Sequence, residues 1–231
     1  MLTLENLLIT QGDFSLRANW SVAPGQIVAL IGPSGEGKST LLSCMAGFLA
    51  PSAGHIVWSG ARIETTPPNA RPFAMVFQDH NLFPHLDAYQ NVALGRDPGL
   101  RLTSGDRADI DNALAQVGLA GLATRKPAQL SGGQQGRVAL ARVLVQDRPI
   151  MLLDEPFAAL GPALRAEMLE LVRDIAQAKG ATVLMVTHNP DDARHVADQV
   201  ILVAQGQAQA PRPTEDAFSN PDPVLKQYMG I

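Results

Sequence analysis

The chain is 231 residues long, 46% apolar and 17% charged, with a net charge of -4. This balance suits one globular domain with a sizeable core and excludes a disordered chain. The acidic excess argues against a dedicated nucleic-acid binder, and the single cysteine, Cys44, excludes an intrachain disulfide.

Leu2 to Ile9 and Phe14 to Val22 alternate in part and flank Gly12-Asp13, which predicts two short strands joined by a turn. Their start, Met-Leu-Thr-Leu-Glu-Asn, lacks the basic and long apolar segments of a signal peptide, so a cytosolic location is expected. A buried strand, Ile27–Ile31, then enters Gly32-Pro33-Ser34-Gly35-Glu36-Gly37-Lys38-Ser39, and a helix-like run, Ser39 to Phe48, leaves it. Two glycines with four residues between them, then lysine and a hydroxyl residue, build a phosphate cradle. The glycines let the backbone turn so that its N–H groups converge, and the following helix adds the positive end of its dipole. Lys38 reaches the outer phosphates as a point charge, and the Ser39 hydroxyl suits Mg²⁺. Cys44 falls on this helix and reads as a small buried apolar residue.

Pro51-Ser52-Ala53-Gly54 marks a turn before a short strand, His55 to Trp58, and Phe73–Phe77 is a further buried strand ending next to Gln78. From Leu82 to Leu130 the pattern changes. Candidate helices at Ala88–Leu94 and Arg107–Val117 are interrupted by glycine and proline, which predicts a small helical insert. Leu130-Ser131-Gly132-Gly133-Gln134 opens the next helix, Gly133–Gln146. Ser131 is a good N-cap, and the paired glycines expose backbone N–H groups, making a second anion-binding terminus. Arg137 and Arg142, on this helix, read as surface or ion-pair residues.

Ile150–Leu153 then delivers Asp154 and Glu155 at the carboxyl end of a buried strand, where open α/β sheets bind ligands. Beside a phosphate loop, Asp154 suits Mg²⁺ or its bound water, and Glu155 is left as a base for an attacking water. A helix at Pro162–Lys179, strands at Thr182–Val186 and Val200–Val203, and a proline-rich tail from Pro211 to Ile231 complete the chain. His188 follows the penultimate strand. Taken alone, a glutamine or a histidine at a strand end is an ordinary loop residue. The apolar runs separated by helices predict a largely parallel sheet covered on both faces. No run approaches about 18 apolar residues, so no membrane span is expected.

The phosphate loop, Gln78, Leu130–Gln134, Asp154-Glu155 and His188 occur in the order and approximate spacing of the ATP-binding subunits of ABC transporters, and the resemblance covers nearly the whole chain. Within that family the chain is most similar to the ATPase subunits of bacterial thiamine importers. Thr65-Thr66-Pro67-Pro68, Arg71-Pro72, Asn81-Leu82-Phe83-Pro84-His85-Leu86 and Asp97-Pro98-Gly99-Leu100-Arg101-Leu102 carry this closer match. Iron(III) and sulfate importer subunits share part of the pattern.

The resemblance implies a P-loop ABC ATPase fold: a mixed, largely parallel sheet with an N-terminal antiparallel β-subdomain and a helical subdomain. It implies one ATPase domain over 1–231, with residues 1–82 and 130–210 as nucleotide-binding core, 83–129 as the helical part and 211–231 as a short tail. Two copies would sandwich ATP. Gly32 to Ser39 and Thr40 of one copy would hold the nucleotide, and Ser131, Gly132, Gly133 and Gln134 of the other would close on its γ-phosphate. Ser39, Gln78 and Asp154 would attend Mg²⁺ (Gln78 through the ion or through the attacking water), while Glu155, Gln78 and His188 would serve hydrolysis. The implied partners are a second copy, multi-span membrane permease subunits and, indirectly, a periplasmic solute-binding protein, with the chain on the cytoplasmic face of the bacterial inner membrane. A small-molecule P-loop kinase and a non-transport ABC protein fit less well. The first does not need the second anion-binding terminus, and the second usually carries a coiled coil or a further cassette.

The chain departs from the family twice. Ala158-Ala159-Leu160-Gly161 ends in glycine where the family usually has an aspartate, which puts communication between the two ATP sites in doubt. Leu8-Ile9-Thr10-Gln11-Gly12-Asp13 contains no aromatic residue to stack on adenine, leaving Phe14 as the nearest candidate.

Overall fold

The computed structural model describes residues 1–158 and 160–230; Ala159 of the departing stretch and Ile231 of the tail lie outside them. Strands β1 (Leu2–Gln11) and β2 (Phe14–Val22) form an antiparallel hairpin. In β2, Leu16, Ala18, Trp20 and Val22 are buried while the residues between them face out, the period-2 signature of a half-covered strand. Asn6, at φ 47, marks a bulge where the pairing register of β1 shifts. Strand β3 (Ile27–Ile31) is buried at every position and leads through the phosphate loop into α1 (Lys38–Ala46). Strands β4 (Ala53–Trp58) and β5 (Ala61–Arg62) extend the hairpin layer, and β6 (Phe73–Val76) returns to the central sheet.

Helices α2 (Ala88–Ala93) and α3 (Ser104–Gln116) form the insert, each opened by a capping box, Asp87 with Gln90 and Thr103 with Asp106. Then come α4 (Gly132–Gln146), β7 (Ile150–Asp154), α5 (Pro162–Lys179), β8 (Thr182–Val186), α6 (Pro190–Val196) and β9 (Gln199–Ala204). The C-terminal segment adds β10 (Gln207–Ala208), β11 (Arg212–Pro213), α7 (Thr214–Ser219) and α8 (Pro223–Met229). Among the described residues no helix is long and apolar enough to cross a membrane.

The strands join in the order β5-β4-β1-β2-β10-β9-β3-β8-β7-β6, with β11 on β9. The hairpin end is antiparallel, whereas β9, β3, β8, β7 and β6 run parallel. The parallel strands are continuous apolar runs because helices cover both their faces. Val186 of β8 pairs with Leu30 of β3 on one side and Asp154 of β7 on the other, so three strands end side by side. One core lies between the sheet and α2–α5, a second between the sheet, the hairpin layer and α1, and a third under α6–α8.

Two arginines tie these layers together. Arg71, just before β6, donates to the Cys44 and Met45 carbonyls at the end of α1 and to the Thr66 and Glu64 carbonyls. A guanidinium suits the negative end of a helix dipole, so Arg71 fixes the rear of the helix whose front carries the phosphate loop. Cys44 is fully buried beside it, and burial pushes its thiol up to about 11, so it stays a neutral packing residue. Arg142 is not the surface or ion-pair residue that its sequence context suggests. It is half-buried and donates to Asn81 O, Asn91 O and Asn91 Oδ1, joining α4 to α2 and to the segment after β6. Arg137 does form an ion pair, with Glu167 at 2.7 Å.

Replacing Arg71 by Met removes the guanidinium donors from these carbonyls, of which that of Cys44 keeps the Gly47 N–H. Urea unfolding of Arg71→Met is expected to show a loss of roughly 1–3 kcal/mol per group left unpaired, with an unchanged m-value. A midpoint equal to the parent's would contradict the clamp.

Candidate nucleotide site

The loop between β3 and α1 is held close to its neighbours. Gly32 has φ 142, and a Cβ there would lie 2.1 Å from the Val203 carbonyl oxygen, so only glycine lets the chain leave β3 against β9. Gly37 occupies the N-cap of α1 at φ 94 with no side chain capping the helix. The first amides of α1 are therefore the kind of helix terminus that receives an anion. The Lys38 ammonium is 4% exposed and donates to the Gly32 and Pro33 carbonyls at 2.8 and 2.7 Å. Burial lowers its pKa, while Glu155, Glu36 and Asp154 oppose that shift. A buried ammonium held only by neutral carbonyls is underpaid in charge, which favours an anionic ligand.

The acids stand at the end of β7. Asp154 is buried, and its Oδ1 accepts a hydrogen bond from the Ser39 hydroxyl at 2.8 Å, tying α1 to β7. Burial raises the Asp154 pKa, Ser39 draws it down, Glu155 raises it again, and Lys38 and His188 draw it down. A hydroxyl and a desolvated carboxylate in contact form a donor set that fits Mg²⁺, whose charge would favour the ionised acid. Among the described residues no cluster of three His, Cys, Asp or Glu side chains is placed to hold a metal.

At Glu155 the chain turns out of the strand through a left-handed conformation, φ 47, while its N–H donates to Val186 O. Such a conformation costs about 1 kcal/mol in a residue with a Cβ and persists where the surroundings impose it. Its carboxylate lies 2.5 Å from His188 Nε2. The His188 loop is fixed in turn by Thr187, whose N–H donates to Leu30 O and whose hydroxyl donates to Asp192 Oδ2 at 2.6 Å. A cavity of about 300 Å³ opens beside this pair, lined in part by Phe157, Arg165 and Asp192. Sequence reasoning missed the Thr187–Asp192 contact; its only trace there is an acid in the first turn of a helix too short to stand out.

The structure thus gathers Gly32–Ser39, Asp154, Glu155 and His188 at the ends of adjacent strands. Phe14 also approaches the loop: a Cβ on Gly37 would lie 2.4 Å from its Cζ. Thr40 lies in the first turn of α1. Gln78 is exposed in the turn after β6, and no hydrogen bond joins it to Ser39, Asp154 or Glu155 among the described residues. Ser131 caps α4 reciprocally with Gln134, and Ser131 and Gly132 are exposed. Among the described residues no hydrogen bond or ion pair links 131–134 to the phosphate loop. Gly161 starts α5 as its N-cap ahead of Pro162, and Arg165 donates to the Ala158 carbonyl.

Residues 16–158 match the ABC transporter family. The chain is 59% identical to the thiamine import ATP-binding protein ThiQ of Cereibacter sphaeroides over 230 residues, covering all of both chains. It is 56% identical to the protein of that name from Ruegeria sp. over 230 residues, again covering all of both, and 50% identical to that of Jannaschia sp., covering 99% of this chain and 100% of the relative. A dimeric ATP-binding cassette solved in a post-hydrolysis state with ADP and Pi superimposes with a TM-score of 0.82 at 30% identity, covering 93% of this chain and 99% of that one. A nucleotide-free cassette from an ABC transporter shares the fold, with a TM-score of 0.88 at 24% identity over 99% and 98% of the two chains.

Lys38→Ala removes the one buried cation of the loop. Titration with a fluorescent ATP analogue is expected to show binding weakened by at least about tenfold, the reach of a charge-assisted contact. Unchanged affinity would contradict the cradle.

Proposed function

Because the chain belongs to the ABC transporter family, we propose that it is the ATP-hydrolysing subunit of an importer whose cargo is thiamine and its phosphate esters. The cargo rests on the full-length relatives, which are thiamine import ATP-binding proteins. The chemistry rests on one observation above the others: Glu155 and His188 in contact at 2.5 Å, at strand ends shared with the Lys38 loop.

In this reading the amides of Gly32 to Ser39 and Thr40, with Lys38, hold the phosphates, and Phe14 stacks on adenine. Lys38 exchanges its two carbonyl partners for phosphate oxygens. Ser39 and Asp154, with Gln78, hold Mg²⁺, which when bound supplies positive charge at the outer phosphates. Glu155 takes a proton from water as the water oxygen attacks the γ-phosphorus and the bond to the β-phosphate oxygen breaks. His188 steadies the Glu155 carboxylate and offers a hydrogen bond to the γ-phosphate. Gln78 joins the site to the insert.

A second copy supplies Ser131, Gly132, Gly133 and Gln134 across the interface. The dimeric relative and the exposure of Ser131 and Gly132 support that arrangement. Residues 1–82 and 130–210 act as nucleotide-binding core, 83–129 as the helical part that meets membrane permease subunits, and 211–231 as the tail. The protein works at the cytoplasmic face of the inner membrane, with a periplasmic solute-binding protein delivering cargo on the other side.

Glu155→Gln keeps the shape of the site and loses the base. Steady-state hydrolysis is expected to fall about 10²–10⁴-fold with ATP binding retained. Near-parental turnover would remove Glu155 from its role.

A further inference from the structure

We propose that Tyr228, on the last helix, is a positioning residue for His188, so that the C-terminal segment forms part of the hydrolytic site. The Tyr228 hydroxyl donates to the His188 carbonyl oxygen at 2.7 Å, across forty residues of sequence. That carbonyl lies between the end of β8 and the start of α6, outside both ladders. The imidazole of His188 meets Glu155 while its backbone is held by Tyr228, so the ring is fixed from both ends. Burial raises the phenol's pKa, and the backbone of Gly32, the first residue of the phosphate loop, opposes that shift. The hydroxyl therefore ties the last helix to the loop that carries His188.

Helix α8 is built to hold that hydroxyl in place. Asp222 caps it by accepting from Leu225 N at 2.8 Å, Pro223 sets its first turn, and Gly230 ends it at φ 73. Leu225 lies three residues before Tyr228, on the same helix face, and is buried. It packs in the core formed with Ala29 and Ile31 of β3, Ala193 of α6 and Leu202 of β9. The tail is thus seated on the strand that feeds the phosphate loop and on the helix that follows His188. Packing alone would need only the ring of Tyr228; its hydroxyl reaches the His188 loop.

The inference rests on the ATPase reading, and the test separates the two. In the full-length chain, Tyr228→Phe keeps the ring and removes the hydroxyl. The expected result is a kcat lowered about three- to tenfold, the reach of one neutral hydrogen bond, with KM for ATP and the thermal midpoint unchanged. In single-turnover assays Tyr228→Phe is expected to add less than about twofold to the loss caused by His188→Ala, because both act through one group. A kcat equal to the parent's overturns the proposal. So does a loss that multiplies fully with that of His188→Ala, or one in which Tm falls together with kcat. Absence of turnover in the parent chain would instead overturn the ATPase reading itself.

Discussion

The parallel register of β3, β8 and β7 is the constraint on which the site depends. Val186 is paired with Leu30 on one side and Asp154 on the other, so the loops that leave the three strands start at the same height. Each loop carries a different part of the chemistry: a cation and an amide cradle after β3, two acids at and after β7, and a histidine after β8. The Ser39–Asp154 hydrogen bond closes this arrangement by joining the helix after the first strand to the end of the second. Burial disfavours the charged forms of both Lys38 and Asp154. An anionic polyphosphate with a divalent cation would relieve both penalties at once.

In the proposed reading one copy does not complete the site. Ser131 caps its own helix, and it and Gly132 are exposed, without a hydrogen bond to the phosphate loop among the described residues. The helix is nevertheless tied to the insert. Arg142 joins α4 to Asn81 and Asn91, and Asn91 in turn donates to the carbonyls of Phe83, Leu86 and Asp87. The segment after Gln78, the insert and the second anion-binding turn therefore share one hydrogen-bonded frame.

The local parts of this design were legible in the sequence. The phosphate loop, the acids after an apolar run and the capped Ser-Gly-Gly turn each follow from short-range chemistry. The bounds of α5 follow from Pro162 at its first turn and Gly180 after its last. Parallel strands such as Ile27–Ile31 announce themselves because both faces are covered. Long-range partnerships were not legible. Among the described residues Arg142 has no carboxylate partner and directs its donors to an amide side chain and two carbonyls, which no spacing rule anticipates. Helix α6 and strands β5, β10 and β11 are too short for periodicity to register. The prolines of the tail obscure its second helix, which Pro223 begins and which reaches the histidine loop.

The central claim is that two copies share each nucleotide, with the cradle of one facing the serine-glycine-glycine turn of the other. Sedimentation of the hydrolysis-blocked Glu155→Gln chain, with and without ATP, tests it most directly. The account predicts a monomer that becomes a dimer when ATP is added, and that remains a monomer when Ser131 is also replaced by a bulky acidic residue. A chain that stays monomeric at saturating ATP and high protein concentration would contradict it.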